Sequence, residues 1–183
     1  MRQHENEPIV VARDVKAVII PAGVEIRLRK GSTGYITQAL GGSFTVYVEG
    51  NLFRVAGEDA DAIGKELARP PELPPDATLD DVRALLWAQM KTCFDPEIPI
   101  NIVDLGLIYS CELEALPSGG HKVSVRMTLT APGCGMGDVL VADVKEKLRI
   151  VPTVEDVDVE LVFDPPWDRH MMSDAARLES GLM

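Results

Sequence analysis

Val123-Ser124-Val125-Arg126-Met127-Thr128-Leu129-Thr130-Ala131-Pro132-Gly133-Cys134-Gly135-Met136-Gly137-Asp138-Val139-Leu140-Val141 changes its hydrophobic period in mid-course. Val123, Val125, Met127 and Leu129 alternate, as the buried side of a half-exposed strand requires. Val141, Val144 and Leu148 then recur at helical spacing. The spacing predicts a strand ending near Thr130 and a helix starting near Gly137, joined by a loop of prolines and glycines around Cys134.

The same pattern extends outward on both sides. Upstream, Leu107, Tyr109, Cys111 and Leu113 alternate, and Pro117-Ser118-Gly119-Gly120 turns the chain back, giving an antiparallel hairpin. Before that, Thr78 with Asp81 forms a capping-box-like start. The helix it opens carries Leu79, Val82, Leu85, Leu86 and Met90, and must stop before Pro96. Downstream, Val157, Val159, Leu161 and Phe163 alternate as a third strand, Pro165 and Pro166 end the sheet, and Ser173 can cap a short terminal helix. One apolar face per strand and two helices to cover it predict a two-layer α/β sandwich of αββαβ order over residues 78–183.

Residues 69–77, Arg69-Pro70-Pro71-Glu72-Leu73-Pro74-Pro75-Asp76-Ala77, carry four prolines in nine positions and read as a stiff linker. Residues 1–68 read as a β-rich module. Its strand candidates are Val15 to Ile20, Val24 to Leu28, Gly34 to Leu40, Phe44 to Val48 and Leu52 to Val55. Strands so closely spaced suggest a small barrel, followed by a short helix from about Glu58 to Leu67 with Ile63 and Leu67 on one face. The fold class expected for the whole chain is α+β.

Composition narrows the function. Of the 183 residues 46% are apolar, enough for a packed core, and 26% are charged. No apolar run approaches the roughly 18 to 20 residues that span a bilayer. The start, Met1-Arg2-Gln3-His4-Glu5-Asn6-Glu7, lacks the apolar region of a signal peptide, so a soluble cytoplasmic protein with no membrane partner is expected. The net charge of −11 is unevenly placed: residues 1–67 hold eight Lys/Arg against nine Asp/Glu, and residues 68–183 hold ten against twenty. Such an acidic second half repels phosphate backbones and argues against nucleic acid as a partner. Cys93, Cys111 and Cys134 form no CxxC pair, which argues against a disulfide framework and a self-contained zinc site. One chain offers too few thiolates to enclose a metal. A metal site would be open, completed by oxygen or nitrogen ligands, or shared between subunits.

Cys134 is the leading candidate for chemistry. The surrounding glycines let the backbone turn sharply, and a helix start supplies unpaired amides and a dipole that favour a thiolate. The alternative is a small buried apolar residue in a tight turn. Asp95-Pro96-Glu97-Ile98-Pro99, followed by Asn101 and Asp104, is a stiff carboxylate-bearing loop. If it shares a sheet edge with the Cys134 loop, Asp95 or Glu97 can supply hard oxygen ligands or orient the thiol. Otherwise it is solvated loop chemistry. Cys93 stands near the helix end, able to reach that edge or to pack, and Cys111 alternates with core positions. His4, His121 and His170 lie far from Cys134 in sequence. There is no Ser-His-Asp order, no HExxH and no phosphate loop.

Three stretches resemble the metal–sulfur cluster assembly domain: Asp95 through Tyr109 (Asp95-Pro96-Glu97-Ile98-Pro99-Ile100-Asn101-Ile102-Val103-Asp104-Leu105-Gly106-Leu107-Ile108-Tyr109), Met127 through Cys134, and Phe163-Asp164-Pro165-Pro166-Trp167. The resemblance covers about residues 78 to 172. Ile36 through Val46 and Gly57 through Gly64 are similar to the amino-terminal module of SufT proteins. The leading reading of the residues takes Cys134 as metal ligand, with Asp95 and Glu97 beside it as cofactor-binding residues, and expects no enzymatic activity. The resemblance implies a role in iron–sulfur protein maturation, with Cys134 as the functional residue. It implies transient binding of iron or an iron–sulfur cluster, and assembly machinery and apo-client proteins as partners. Dimerisation would complete the ligand set. PaaD, a relative, has a cysteine-rich tail; this chain ends Glu179-Ser180-Gly181-Leu182-Met183 without one.

Three readings follow. In the first, Cys134 carries iron or a labile cluster. In the second, the chain is a protein-interaction adaptor in the same pathway and Cys134 is merely packed. In the third, Cys134 is an enzyme nucleophile, which needs a base nearby.

Overall fold

The computed structural model describes residues 6–67, 69–95, 98–133 and 135–181. The chain divides into two compact units, Met1–Arg69 and Pro70–Met183.

In the first unit, β1 (Glu7–Val10), β2 (Val15–Ile20), β3 (Val24–Leu28), β4 (Thr33–Leu40), β5 (Ser43–Val48) and β6 (Asn51–Val55) form one antiparallel sheet. Its order is β1-β4-β5-β6-β2-β3. In place of the expected barrel the order is linear: β1 and β3 stand at its two ends, and no ladder joins them among the described residues. β1 has no counterpart among the sequence expectations. Its Glu-Pro-Ile-Val offers little periodicity, and proline is tolerated there because the strand is an edge. Ile36, Val46 and Val55 are fully buried on the inner face. The helix expected from Glu58 to Leu67 is instead a short 3-10 helix, Gly57–Ile63. Gly64, at φ 74, ends it in the left-handed conformation, and its N–H bonds back to Asp61. Ile63 is buried but Leu67 is left exposed.

In the second unit, α1 (Leu79–Met90) is followed by β7 (Ile108–Ala115), β8 (His121–Met127), α2 (Gly137–Arg149), β9 (Val154–Leu161) and α3 (Asp174–Ser180). The Thr78 hydroxyl and the Asp81 carboxylate exchange the two bonds of a capping box. Val82, Leu86 and Met90 of α1 are buried, whereas Leu79, in the first turn, stays half-exposed. Ser173 caps α3 by accepting the Ala176 N–H. The sheet order is β7-β8-β9, with β7 antiparallel and β9 parallel to β8. Val123, Val125 and Met127 of β8, Val157 and Val159 of β9, and Leu140, Val144 and Leu148 of α2 form one core with α1.

Two details of the expected strands differ. The β7–β8 register slips between Ile108 and Ser110, so Tyr109 is an extra, bulged residue. Ile108 pairs with Met127 on the core face, and Tyr109 turns away, donating its hydroxyl to the Pro165 carbonyl at 2.7 Å. Phe163 lies beyond β9 and is exposed.

The segment after β9 is tied to the turn that precedes β7. Trp167 Nε1 donates to the Leu105 carbonyl at 2.8 Å, and the Ser173 N–H donates to the Asp104 carbonyl at 2.8 Å. Gly106 has φ +73, and a Cβ there would stand 2.2 Å from the Met171 carbonyl oxygen. Both the backbone conformation and the space therefore demand glycine. Gly106→Ala is expected to destabilise the second unit by about 2–4 kcal/mol. Urea denaturation measures this, and the fluorescence of Trp167 in a Trp87→Phe background should shift to the red as its tie to Leu105 loosens. Leu86→Ala, at a fully buried site on α1, should cost about 2–5 kcal/mol in the same assay without the native-state spectral shift.

Candidate functional site

β8 hands the chain to α2 through the loop that contains Cys134. At the strand's end the Thr128 N–H donates to the Leu107 carbonyl, and the Met127 carbonyl accepts from Val162 N–H. Thr128 is fully buried, and its hydroxyl has no hydrogen-bond partner among the described residues. Ala131, Pro132, Gly133 and Gly135 are exposed. Gly133 has φ +80 with open space around it, so conformation alone requires glycine there. Gly137 is different: a Cβ would meet Leu129 Cδ1 at 2.8 Å, so the start of α2 packs directly on the segment that leaves β8. Met136, the residue before α2, is buried and offers no capping side chain. The positive end of the helix dipole thus faces the loop without a side-chain acceptor from that position. Cys134 itself lies outside the described residues, as does Glu97.

The second loop begins where α1 ends. Phe94 and Asn101 form an antiparallel bridge, and the Asp95 N–H donates to the Ile100 carbonyl at 3.2 Å. The Asp95 side chain is only 6% exposed. Its Oδ1 accepts the Ile98 N–H at 2.9 Å, and its Oδ2 accepts the Thr130 hydroxyl at 3.3 Å. A buried carboxylate needs such donors. Asp95 therefore closes its own loop and clasps it to the strand exit four residues before Cys134, bringing the two loops to one edge of the sheet. Asn101 and Asp104 serve the turn that follows. Asn101 Oδ1 accepts the amides of Val103 and Asp104, and its Nδ2 donates to Asp104 Oδ2 at 2.6 Å.

A charged pair behind this edge was not singled out from the sequence. Lys147 and Asp143, one turn apart on α2, are nearly buried, with Nζ 3.6 Å from Oδ2. Lys147 Nζ also donates to the Thr92 carbonyl at 2.5 Å. It therefore ties α2 to the end of α1, three residues before Asp95. A signal was present: Asp143 and Lys147 fall beside Leu140, Val144 and Leu148 on the core-facing side of the helix, where a lone charge is costly.

The other candidates are placed elsewhere. Cys93 is fully buried in the core, its Sγ 3.9 Å from the Gln89 carbonyl. Cys111 is half-buried on β7 opposite Val125, and burial pushes its thiol up to about 11 against a smaller opposing pull from Arg83. His121 Nδ1 lies 3.0 Å from Thr153 Oγ1. His170 is exposed and pairs with Asp168, whose carboxyl is held below the usual carboxylate range by the His170 N–H and ring. His4 lies outside the described residues. Among the described residues no three His, Cys, Asp or Glu side chains stand close enough to hold a metal ion, and no helix is long and apolar enough to cross a membrane.

A family model described as "Iron-sulfur cluster assembly protein" matches residues 83–161, a range that holds α1 from its second turn, both loops and the three-stranded sheet. A "Fe-S protein maturation auxiliary factor" from Porphyromonas gingivalis is 44% identical over 94 residues, 51% of this chain and 86% of that protein. The "Fe-S protein maturation auxiliary factor SufT" of Staphylococcus aureus is 39% identical over 88 residues, 48% of this chain and 96% of that protein. An "Iron-sulfur cluster carrier protein" from Deinococcus radiodurans is 38% identical over 77 residues, 42% of this chain but only 20% of that longer protein. Identity at this level across 86% and 96% of the two maturation factors establishes that the chain belongs to the iron–sulfur cluster assembly protein family.

Proposed function

We propose that the chain is a non-enzymatic accessory factor of iron–sulfur protein maturation, which holds iron or a labile cluster at Cys134 as cargo and passes it to apo-client proteins in the cytoplasm. The observation that carries this reading is the Asp95–Thr130 contact, which brings the carboxylate loop against the strand exit leading to Cys134. Thiolates suit iron–sulfur cargo, and an under-ligated site suits transfer better than storage. In this reading Asp95 positions the loop, Glu97 offers a hard oxygen ligand, and assembly machinery or a second copy of the chain completes the coordination. The names of the maturation factors and of the carrier protein support it.

Anaerobic reconstitution with iron and sulfide is the direct test. Wild type is expected to take up iron with visible charge-transfer bands, and Cys134→Ser to lose most of both. Equal, substoichiometric uptake without bands would remove cargo carriage.

A second reading, a metal-free adaptor, draws on the fact that both Asp95 oxygens already accept hydrogen bonds within the protein. Complementation of a deletion strain separates the two. Carriage predicts that Cys134→Ala fails while Asp95→Asn, which keeps an acceptor for one of the two donors, retains partial function. Full rescue by Cys134→Ala would favour the adaptor. The third reading, a cysteine nucleophile, needs a base beside Cys134.

Thiol reactivity gives a pH-dependent check. A thiol at about 11 is protonated at pH 8, so Cys111 should alkylate about a hundredfold more slowly than an ordinary cysteine and gain rate as pH rises toward 11. Buried Cys93 should react only on unfolding. Iodoacetamide labelling read by peptide mass spectrometry at pH 7 to 10 is expected to mark Cys134 first. Equal rates at Cys111 and Cys134 would contradict a stabilised thiolate.

A further inference from the structure

The first unit holds a groove that the cluster chemistry does not use. A cavity of about 270 Å³ is lined by Ile26, Arg27, Leu28 and Arg29 on one side and by Val48, Asn51 and Phe53 among others across it. Successive residues of an extended strand point to opposite faces, so a cavity that touches Ile26, Arg27 and Leu28 in a row lies along the edge of the strand's last residues, and it continues past the strand end to Arg29 and Ser32. That edge is free. β3 ends the sheet order, pairs only with β2, and carries no further backbone hydrogen bond on its outer side among the described residues.

The side chains along the groove are of two kinds. Leu28, Val48 and Phe53 are buried and give an apolar floor. Arg27 and Arg29 are exposed, and no ion pair engages either among the described residues. Lys16 is the register partner of Arg27, and Lys30 follows in sequence. Glu25 faces Lys16 at 3.5 Å, and Glu49 lines the far side of the groove. Charges alone would suffice to keep an edge strand from aggregating. An apolar floor beside that edge, with two uncommitted guanidiniums above it, fits an occupant instead.

We propose that this groove docks an extended acidic peptide segment of a protein partner, which adds as a strand to β3. The segment's backbone takes the free edge, alternate apolar side chains enter the floor, and its carboxylates meet Arg27 and Arg29 as charge-assisted, bidentate pairs. The inference concerns the first unit alone and stands whether or not Cys134 carries cargo.

Fluorescence anisotropy with the full chain tests it. The probe is a labelled peptide of about eight residues alternating valine and glutamate, with a valine–lysine peptide as control. The acidic probe is expected to bind and the basic one not to. Arg27→Ala with Arg29→Ala, both at exposed positions, should weaken binding by about tenfold or more and flatten its salt dependence. Methylating every second probe amide on the strand-pairing side should weaken it comparably, and amide shifts in the full chain should centre on residues 24–32 and 48–53. Equal binding of the two probes, no effect of the double substitution, or no effect of methylation would overturn the proposal. So would a dimer, seen by sedimentation without peptide and dissolved by the same double substitution, because the occupant would then be a second copy of the chain.

Discussion

The parallel pairing of β8 with β9 governs the second unit. Antiparallel neighbours can be joined by a tight turn, as β7 and β8 are, but parallel neighbours must be joined by a crossover that returns the chain to its starting end. Here α2 is that crossover. A loop must therefore leave the sheet at the end of β8 and start a helix at once, and the glycines around Cys134 follow from this demand. Gly137 lets α2 sit against Leu129, and Gly133 takes a left-handed turn that a side chain would resist. The glycine-rich loop between β8 and α2 is thus a consequence of topology, whatever function it serves.

Once α2 lies on the sheet, α1 has to share the same face, and the contact between the two helices fixes where α1 ends. Lys147 reaches the Thr92 carbonyl from α2, and Asp143 balances its charge. A buried ion pair of this kind gives little net stability. It does set direction: α1 terminates at the edge from which β8 departs, so Asp95 finds Thr130. The residues by which the chain resembles its family divide accordingly. Asn101, Asp104, Gly106 and Tyr109 hold a turn and the segment after β9, and Asp95 clasps two loops. Much of that motif is architecture: it holds the turn before β7 and the exit of β8 in place.

Legibility in the sequence tracked how local each determinant was. The Thr78–Asp81 capping box, the Ser173 cap and the alternation of β8 are settled within a few residues, and they stand in the structure where the sequence places them. The Tyr109 bulge is different. Residues 107 to 113 alternate without interruption, and only pairing with Met127 and Arg126 reveals an extra residue. β1 is too short to announce itself and contains a proline, and it exists because β4 offers it an edge. Helical spacing drew Leu67 into a helix that Gly64 stops, because a left-handed glycine cap outweighs a weak periodicity.

By itself the sequence determined the family, the α+β character, and the setting of Cys134 in a glycine-rich loop between strand and helix. Each rests on periodicity or on motifs contiguous along the chain. Only the tertiary structure decided that Asp95 meets Thr130, that Cys93 is sealed in the core while Cys111 is half-buried and held protonated, and that β3 stands at the end of its sheet, with no strand on its outer side among the described residues. These depend on which residues far apart in the chain become neighbours, and neighbourhood is set by strand pairing and helix packing, which no local pattern encodes.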